Sequence, residues 1–437
     1  MKVNRWLSSA MLLATVLYAV TGCSKGEETS SVSTVPTTEE APPSSSEPVT
    51  LIMYQVGSGI EDNEFKEIIA DPVKKKYPNI TVELQRLQQG TTLESAVAAQ
   101  QYPDLIFAGI LDVNRLKDLG LVTDLNPYIK KYKYDLSQLQ TSTTDMVAKY
   151  SDKGEMLAMP FTLGFPIMYY NKDIFDKLAV PYPKDGMSWE ETIALAKRVT
   201  VNDNGTQYQG FDNGVAFARL SLSMLQDKYD AKREKAQLTT PGWARVLNYF
   251  KEWRSIPGNS EPGTLKMFQE GKLAMKADYN GALAQFEDMA KKGDPLNWDM
   301  VTQPTFSDQP YVVDTPLQIL LMSGTSKHKD EVFKVFEVVT GKESQLNLSK
   351  NARPSVLKDA EVQKVFGQNF QSLKGKNIAA PFKYKYSPIN VASRYDDIIN
   401  KYINSASTQV VKGVDVNTAL REAEEAANKE IQSMLVK

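Results

Sequence analysis

Apolar and polar positions alternate in two rhythms along this chain. Thr50-Leu51-Ile52-Met53-Tyr54 is a short apolar run that stops at a break marked by Gly57 and Gly59, and helical spacing follows from Glu64 to Lys76, ending near Pro78. Ile80, Val82 and Leu84 then alternate with polar residues, the period of a strand. Leu93 to Gln101 predicts a helix, Asp104 to Phe107 a buried strand and Val113 to Leu119 another helix. Strand and helix succeeding each other at this spacing argue for βαβ units and a mainly parallel sheet. A second such region begins near Pro160. Pro166 to Tyr170 predicts a strand, and Ser188-Trp189-Glu190-Glu191 is a capping box opening a helix that runs to about Val199. Trp243 to Arg254 and Leu265 to Gly271 predict helices, Leu273 to Lys276 a strand and Leu317 to Met322 a buried strand. The last helix, from Asp415, sets Val416, Ala419, Ala423, Ala427 and Met434 on one apolar stripe, a face for packing.

The amino-terminal pattern is different. Lys2 and Arg5 precede an uncharged stretch from Trp6 to Gly22, most apolar between Ala10 and Val20. That is shorter than the roughly 20 apolar residues of a membrane span and has the layout of a secretory signal. It ends in Ala19-Val20-Thr21-Gly22-Cys23, which resembles the bacterial lipobox, where the chain is cut before the cysteine and the thiol takes a diacylglycerol. Cys23 is the only cysteine in 437 residues, so no internal disulfide can form and the thiol needs another role. Several acyl chains hold a protein firmly at about 0.8 kcal/mol per buried methylene. Of the 26 residues from Ser24 to Val49, 20 are Ser, Thr, Pro or Glu. Such a stretch cannot bury a core and reads as a disordered tether, spanning roughly 30 Å. Residues 1–22 are thus expected to be a signal peptide and 23–49 the lipidated cysteine and tether, holding the rest on the outer face of the cell membrane.

From Thr50 to Lys437 there remain 388 residues, enough for two lobes. Without Lys2 and Arg5, 49 basic side chains stand against 53 acidic ones, which gives no sign of a nucleic-acid surface. The single histidine, His328, lies in Lys327-His328-Lys329, which reads as an exposed helix entrance. With the one cysteine assigned to lipid, no Ser-His-Asp or Cys-His arrangement and no His/Cys zinc spacing remains, and no cofactor is expected. A pair of carboxylates could still make a glycosidase, and 53 acidic residues leave that reading open.

Several stretches, in order, resemble the family 1 extracellular solute-binding proteins of bacterial ABC importers, which include the maltose- and oligosaccharide-binding proteins. Tyr102-Pro103-Asp104-Leu105-Ile106-Phe107 is similar to the family's Pro-Asp-hydrophobic strand, and Leu116 to Leu125 to its continuation. Tyr169-Tyr170-Asn171-Lys172-Asp173-Ile174-Phe175 followed by Ser188-Trp189-Glu190-Glu191 resembles the family's Tyr-Asn-Lys-Asp-Leu and Thr-Trp-Glu-Glu. Phe268 to Met275 and Lys329 to Gln345 also fit. The resemblance implies a two-lobed α/β periplasmic-binding-protein-like fold of type II, with mainly parallel sheets and a cleft that closes by hinge motion. Lobe 1 would comprise 50–159 plus 305–353, and lobe 2 160–304 plus 354–437. It implies a monomeric receptor rather than an enzyme, with a carbohydrate, such as an oligosaccharide, as solute and two permease subunits and a cytoplasmic ATPase as partners.

Ligands lie beyond the carboxyl ends of parallel strands. That places Gln55, Ser58 and Glu61, on a loop where Gly57 and Gly59 permit close backbone approach, at the cleft together with Ala108 to Asp112. Phe161 and Phe165, near the hinge, suit the apolar faces of sugars and would equally suit a core. In Ala277-Asp278-Tyr279-Asn280-Gly281, relatives often carry a cleft tryptophan that is absent here; Tyr279 takes its place, with Asp278 and Asn280 as hydroxyl partners. Arg353 and Arg394 could pair with an acidic ligand such as a uronate or form structural ion pairs, and Asp314 is equally open. A peptide or another polar solute remains the alternative. Ferric iron at Tyr169-Tyr170 is disfavoured because neighbours on a strand face opposite sides, predicting one core ring and one outward ring.

Overall fold

The alternation of strands and helices builds two separate sheets in a computed structural model that describes residues 47–57, 59–87, 90–151, 153–214, 217–259, 263–310, 312–313, 316–387 and 393–435. Cys23 with the expected signal and most of the expected tether, and Ser58 and Asp314, lie outside the described residues. The strands are β1 (Val49–Val56), β2 (Ile80–Gln85), β3 (Leu105–Gly109) and β4 (Met159–Leu163). Then come β5 (Pro166–Asn171), β6 (Val201–Asp203), β7 (Thr206–Asn213), β8 (Leu273–Tyr279) and β9 (Trp298–Thr302). The set closes with β10 (Val312–Val313), β11 (Leu317–Met322) and β12 (Lys385–Tyr386).

The first sheet is ordered β2-β1-β3-β11-β4 and the second β6-β7-β8-β5-β9, with β10 and β12 paired apart from both. The two-lobed α/β expectation holds, but that of mainly parallel sheets is corrected: both sheets are mixed, and in neither do parallel neighbours outnumber antiparallel ones. Helical crossovers make β2, β1 and β3 parallel, with Met53 opposite both Leu84 and Leu105. β11 arrives from the other lobe, free of that constraint, and runs antiparallel to β3 and β4. In the second sheet β7 and β8 are parallel, while β5 is antiparallel to β8 and β9.

Each sheet is covered on both faces, which is why β3 and β5 are buried almost throughout. Leu51, Met53, Ile80, Phe107 and Leu320 belong to the core of the first lobe. In β5 the period of two sends Tyr170 towards Trp189 and Trp243, and Tyr169 towards Phe286 and Trp298 on the opposite face. Both rings are buried, so the expected outward ring is corrected: a second layer covers that side. Rings in two different cores cannot share one ion.

The capping box forms as read. Ser188 Oγ accepts from Glu191 N–H at 3.1 Å and Glu191 Oε2 from Ser188 N–H at 2.7 Å, an arrangement that stabilises the helix Trp189–Val199 by about 1 kcal/mol. The closing helix Val416–Leu435 buries Val416, Ala419, Ala423, Ala427 and Ile431. Met434 stands 53% exposed, so the stripe ends one turn earlier than expected. Among the described residues no helix is long and apolar enough to cross a membrane.

The chain passes between the lobes later than the sequence divisions at 159/160, 304/305 and 353/354 suggest. β4 pairs with β11 in the first sheet, so the first passage follows Leu163. Thr305 bridges Ser188 and Phe306 joins the second lobe's core, which moves the second passage to the segment before β11. Ser355 bridges Thr162, and Val362 belongs to the first core whereas Phe366 belongs to the second lobe, so the third passage lies between those two.

Candidate ligand-binding site

Between the two sheets lies a cavity of about 860 Å3. The first lobe contributes Gly57, Gly59 and Glu61 after β1, Gly109 to Asp112 after β3, and Glu64, Gln318 and Arg353. The second lobe contributes Tyr279 to Gly281 after β8, Gln285 and Asp288 on the helix Ala282–Lys291, and Asp396, Asp397 and Asn400 on the helix Asp396–Val411. Carboxyl ends of parallel strands thus frame it from both sides. A shallower depression of about 320 Å3 near Tyr182 and Arg198 is lined by the second lobe alone.

Gly57 has φ +65°, and a Cβ there would meet Asp112 Oδ2 at 2.2 Å. Only glycine allows this turn and lets the Asp112 carboxyl lie against the backbone. Burial pushes the Asp112 carboxyl up to about 6; Arg115 draws it down and Asp397, from the other lobe, pushes it further up. Charges on opposite lobes therefore sense one another across the cavity.

Arg353 is built into the wall. Its Nε and Nη2 donate to Glu64 Oε1 and Oε2 at 2.8 and 2.7 Å, and its Nη1 to Gln318 Oε1 at 2.9 Å. Burial raises the Glu64 carboxyl, but the hydrogen bonds and charge of Arg353 outweigh it and hold Glu64 below its ordinary value. Asp396 is pushed up by burial, against the pull of Lys228 at 3.2 Å.

On the opposite wall Tyr279 supplies the aromatic ring, and its carbonyl accepts from the Tyr169 hydroxyl at 3.0 Å. Asn280 holds the first passage between lobes, since its Oδ1 accepts from Phe165 N–H at 3.2 Å and its own N–H donates to the Phe165 carbonyl at 3.1 Å.

Of the residues singled out in the sequence, Gly57, Gly59, Glu61, Gly109 to Asp112, Tyr279 to Gly281 and Arg353 line the cavity. The others that are described do not. Gln55, on β1, accepts from Ile60 N–H at 3.4 Å, and Ala108 is fully buried in β3. Phe161 packs edge-on against Phe107 at 5.8 Å and Phe165 against Phe366 at 5.9 Å, so both rings serve cores and not the cavity wall. Asp278 sits 3.6 Å from Lys276 Nζ, whose main partner is the buried Asp212 at 2.8 Å. Arg394 reaches across the lobes to Asp118 at 3.2 Å, exposed.

Sequence reasoning missed Gln318, Gln285, Asp288, Asp396, Asp397 and Asn400. Gln318 had a signal, being the one polar residue in the run Leu317 to Met322. Asp396-Asp397 opens a helix in a segment with no strand pattern, and nothing local relates it to β3. Among the described residues no group of three or more His, Cys, Asp or Glu side chains could hold a metal ion.

The profile of the bacterial extracellular solute-binding protein family matches residues 57–346. The chain is 26% identical over 183 residues to the sn-glycerol-3-phosphate-binding periplasmic protein UgpB of Brucella abortus, an alignment covering 37% of this chain and only 39% of that protein. In structure it is similar to an ABC substrate-binding protein of Listeria monocytogenes in complex with cycloalternan, with a TM-score of 0.73 and 20% identity over 88% of this chain and 100% of that one. It also resembles CpMnBP1 with mannotriose bound, with a TM-score of 0.71 and 19% identity over 87% of this chain and 100% of that one. A profile match over more than half its length, on a two-lobed fold with an interlobe cavity, shows that this chain belongs to the bacterial extracellular solute-binding protein family.

Proposed function

We propose that the protein is the lipid-anchored receptor of an ABC importer, held on the outer face of the cell membrane through Cys23. It captures a carbohydrate, such as an oligosaccharide, between its lobes and passes it, chemically unchanged, to two permease subunits driven by a cytoplasmic ATPase. The interlobe cavity carries this reading. Its volume of about 860 Å3 lies in the upper part of the ~300–1,000 Å3 range of small-molecule clefts. Carboxylates and amides along it, Glu61, Asp112, Gln285 and Asn400 among them, offer acceptors and donors for hydroxyls, and Tyr279 offers a face for sugar C–H groups. The bound sugars named for the similar solved structures support the class of solute. The cleft is complete within one chain, which supports a monomer.

The test is uptake. Cells carrying the intact gene should accumulate a labelled oligosaccharide with its glycosidic bonds unbroken, and cells lacking it should not. Cys23→Ser should release the protein from the membrane fraction. Uptake of a peptide through this receptor, or sugar cleaved by the purified protein, would replace the reading with a peptide receptor or a glycosidase.

A further inference from the structure

We propose that the cleft selects a carbohydrate bearing a basic nitrogen, an amino sugar, over its neutral counterpart and rejects uronates and sugar phosphates, with Asp112 and Asp397 as the discriminating carboxylates from opposite lobes. This rests on the receptor reading above and specifies the ligand of the same site.

Charge along the cavity is lopsided. Glu61, Glu64, Asp112, Asp288, Asp396 and Asp397 line it, and Arg353 is the one cation that does so among the described residues. Arg353 is committed to Glu64 and Gln318. Cations beside the cavity have partners too: Arg115 forks onto Glu94 at 2.7 and 3.1 Å and also feels Asp112 and Asp397, Lys228 holds Asp396 at 3.2 Å and Asn400 at 2.8 Å, and Lys291, exposed at the adjoining recess, has Glu287 at 3.9 Å. No ion pair within 4 Å joins Glu61, Asp112, Asp288 or Asp397 to a cation among the described residues.

A second observation points the same way. Glu287, next to Asp288, is 1% exposed; its Oε2 accepts from Ser372 N–H at 2.9 Å, while its Oε1 has no hydrogen-bond partner and lies 3.9 Å from Lys291 Nζ. It lines a recess of about 50 Å3 that shares Asn63, Glu64, Asp288 and Arg353 with the cavity wall. Behind the cavity wall, the Glu287 carboxylate thus lacks a hydrogen-bond donor on one oxygen, and its charge is offset only in part by Lys291.

The consequence for closure follows from elementary electrostatics. Asp112 and Asp397 approach each other when the lobes close, and like charges in a water-poor cleft repel. An ammonium between them removes the repulsion and gains two charge-assisted hydrogen bonds, so it binds the closed state preferentially. A carboxylate or phosphate adds a further negative charge to a wall whose one lining cation among the described residues, Arg353, is already bonded to Glu64 and Gln318. The part-length relatives named for sn-glycerol 3-phosphate therefore do not carry their ligand over to this cavity.

The test is calorimetric titration of the full chain in mild detergent with matched neutral, amino and uronic disaccharides in the gluco, galacto and manno series, and with sn-glycerol 3-phosphate, at pH 7.5 and low salt. In the series that binds, the amino member should bind about tenfold more tightly than the neutral one, and the uronate and the phosphate should not bind measurably. The amino advantage should persist in part in 0.5 M salt, since a water-poor cleft is weakly screened, and disappear in Asp112→Asn/Asp397→Asn. Asp397→Asn alone, at an exposed position, should remove part of it, which covers the case of a misfolded double variant. An amino member no better than its neutral counterpart, or a uronate or phosphate binding as well as it, overturns the charge inference and leaves the receptor standing. Silence from every sugar of every charge overturns both.

Discussion

Arg353→Met should destabilise the first lobe by about 3–5 kcal/mol at pH 7, because it leaves the Glu64 carboxylate buried without its partner. The side chains of Arg353 and Glu64 are only 11% and 14% exposed, so solvent cannot replace the lost pair. Four hydrogen bonds go with it, two to Glu64, one to Gln318 and a long one to the Gly59 carbonyl at 3.5 Å. With a urea dependence of roughly 3 kcal/mol per molar, the transition that reports the first lobe should shift down by about 1–1.7 M. The effect also has a pH signature. Glu64's folded value lies below its ordinary 4.5, so the stability it contributes is fully present above pH 4.5 and is lost as pH falls through the lower folded value. In Arg353→Met the burial remains and the counter-charge is gone, so the shift reverses and protonation relieves the penalty. The gap between the two proteins should therefore narrow as pH falls from 7 towards 4.5. Adding Glu64→Gln to Arg353→Met should restore part of the loss, as a double-mutant cycle reads directly. A loss under about 1 kcal/mol, a gap that widens in acid, or strictly additive variants would refute the buried-pair reasoning.

Gly57→Ala forces a left-handed backbone on alanine and drives its Cβ into Asp112; we expect a loss of about 1–3 kcal/mol in thermal unfolding and weaker solute binding by titration. Asp112, raised to about 6 in the folded chain, costs stability once ionised, so stability should rise as pH falls through 6 towards the ordinary 3.8. Asp112→Asn should be more stable than the parent above pH 6 and lose that advantage near pH 4, as thermal melts across pH will show. Arg394→Ala removes an exposed pair that spans the lobes; stability should change by less than about 1 kcal/mol, while stopped-flow release of solute should quicken by up to about fivefold, an effect that high salt abolishes.

Much of the scaffold is legible in the sequence because burial on both faces writes strands as plain apolar runs, as in Leu105 to Phe107 and Leu317 to Met322. The capping box at Ser188 and the glycine break after β1 are local chemistry and read directly. The hairpin of β6 and β7 is carried by its Asn204-Gly205 turn, both residues at positive φ, and the apolar pattern alone passes over it. Mixed sheet direction was not legible, since β11 reaches its neighbours from another lobe. The cavity divides in the same way. Loops after β1, β3 and β8 follow from a rule about strand ends, whereas Asp396 and Asp397 join them only through the packing of a helix remote in sequence. Phe161 and Phe165 show the limit most clearly: the period of two says that neighbours alternate, but not that both faces are core.

The most direct test of the central claim is a thermal-shift screen of the full chain in detergent against mono- and oligosaccharides, amino sugars, uronates and peptides, with the sugars recovered and analysed afterwards. A cognate solute at about 100 times its Kd should add roughly 2.7 kcal/mol to the folded state; a saccharide should do so and be recovered intact. Stabilisation by a peptide alone, or recovery of cleaved sugar, would contradict it.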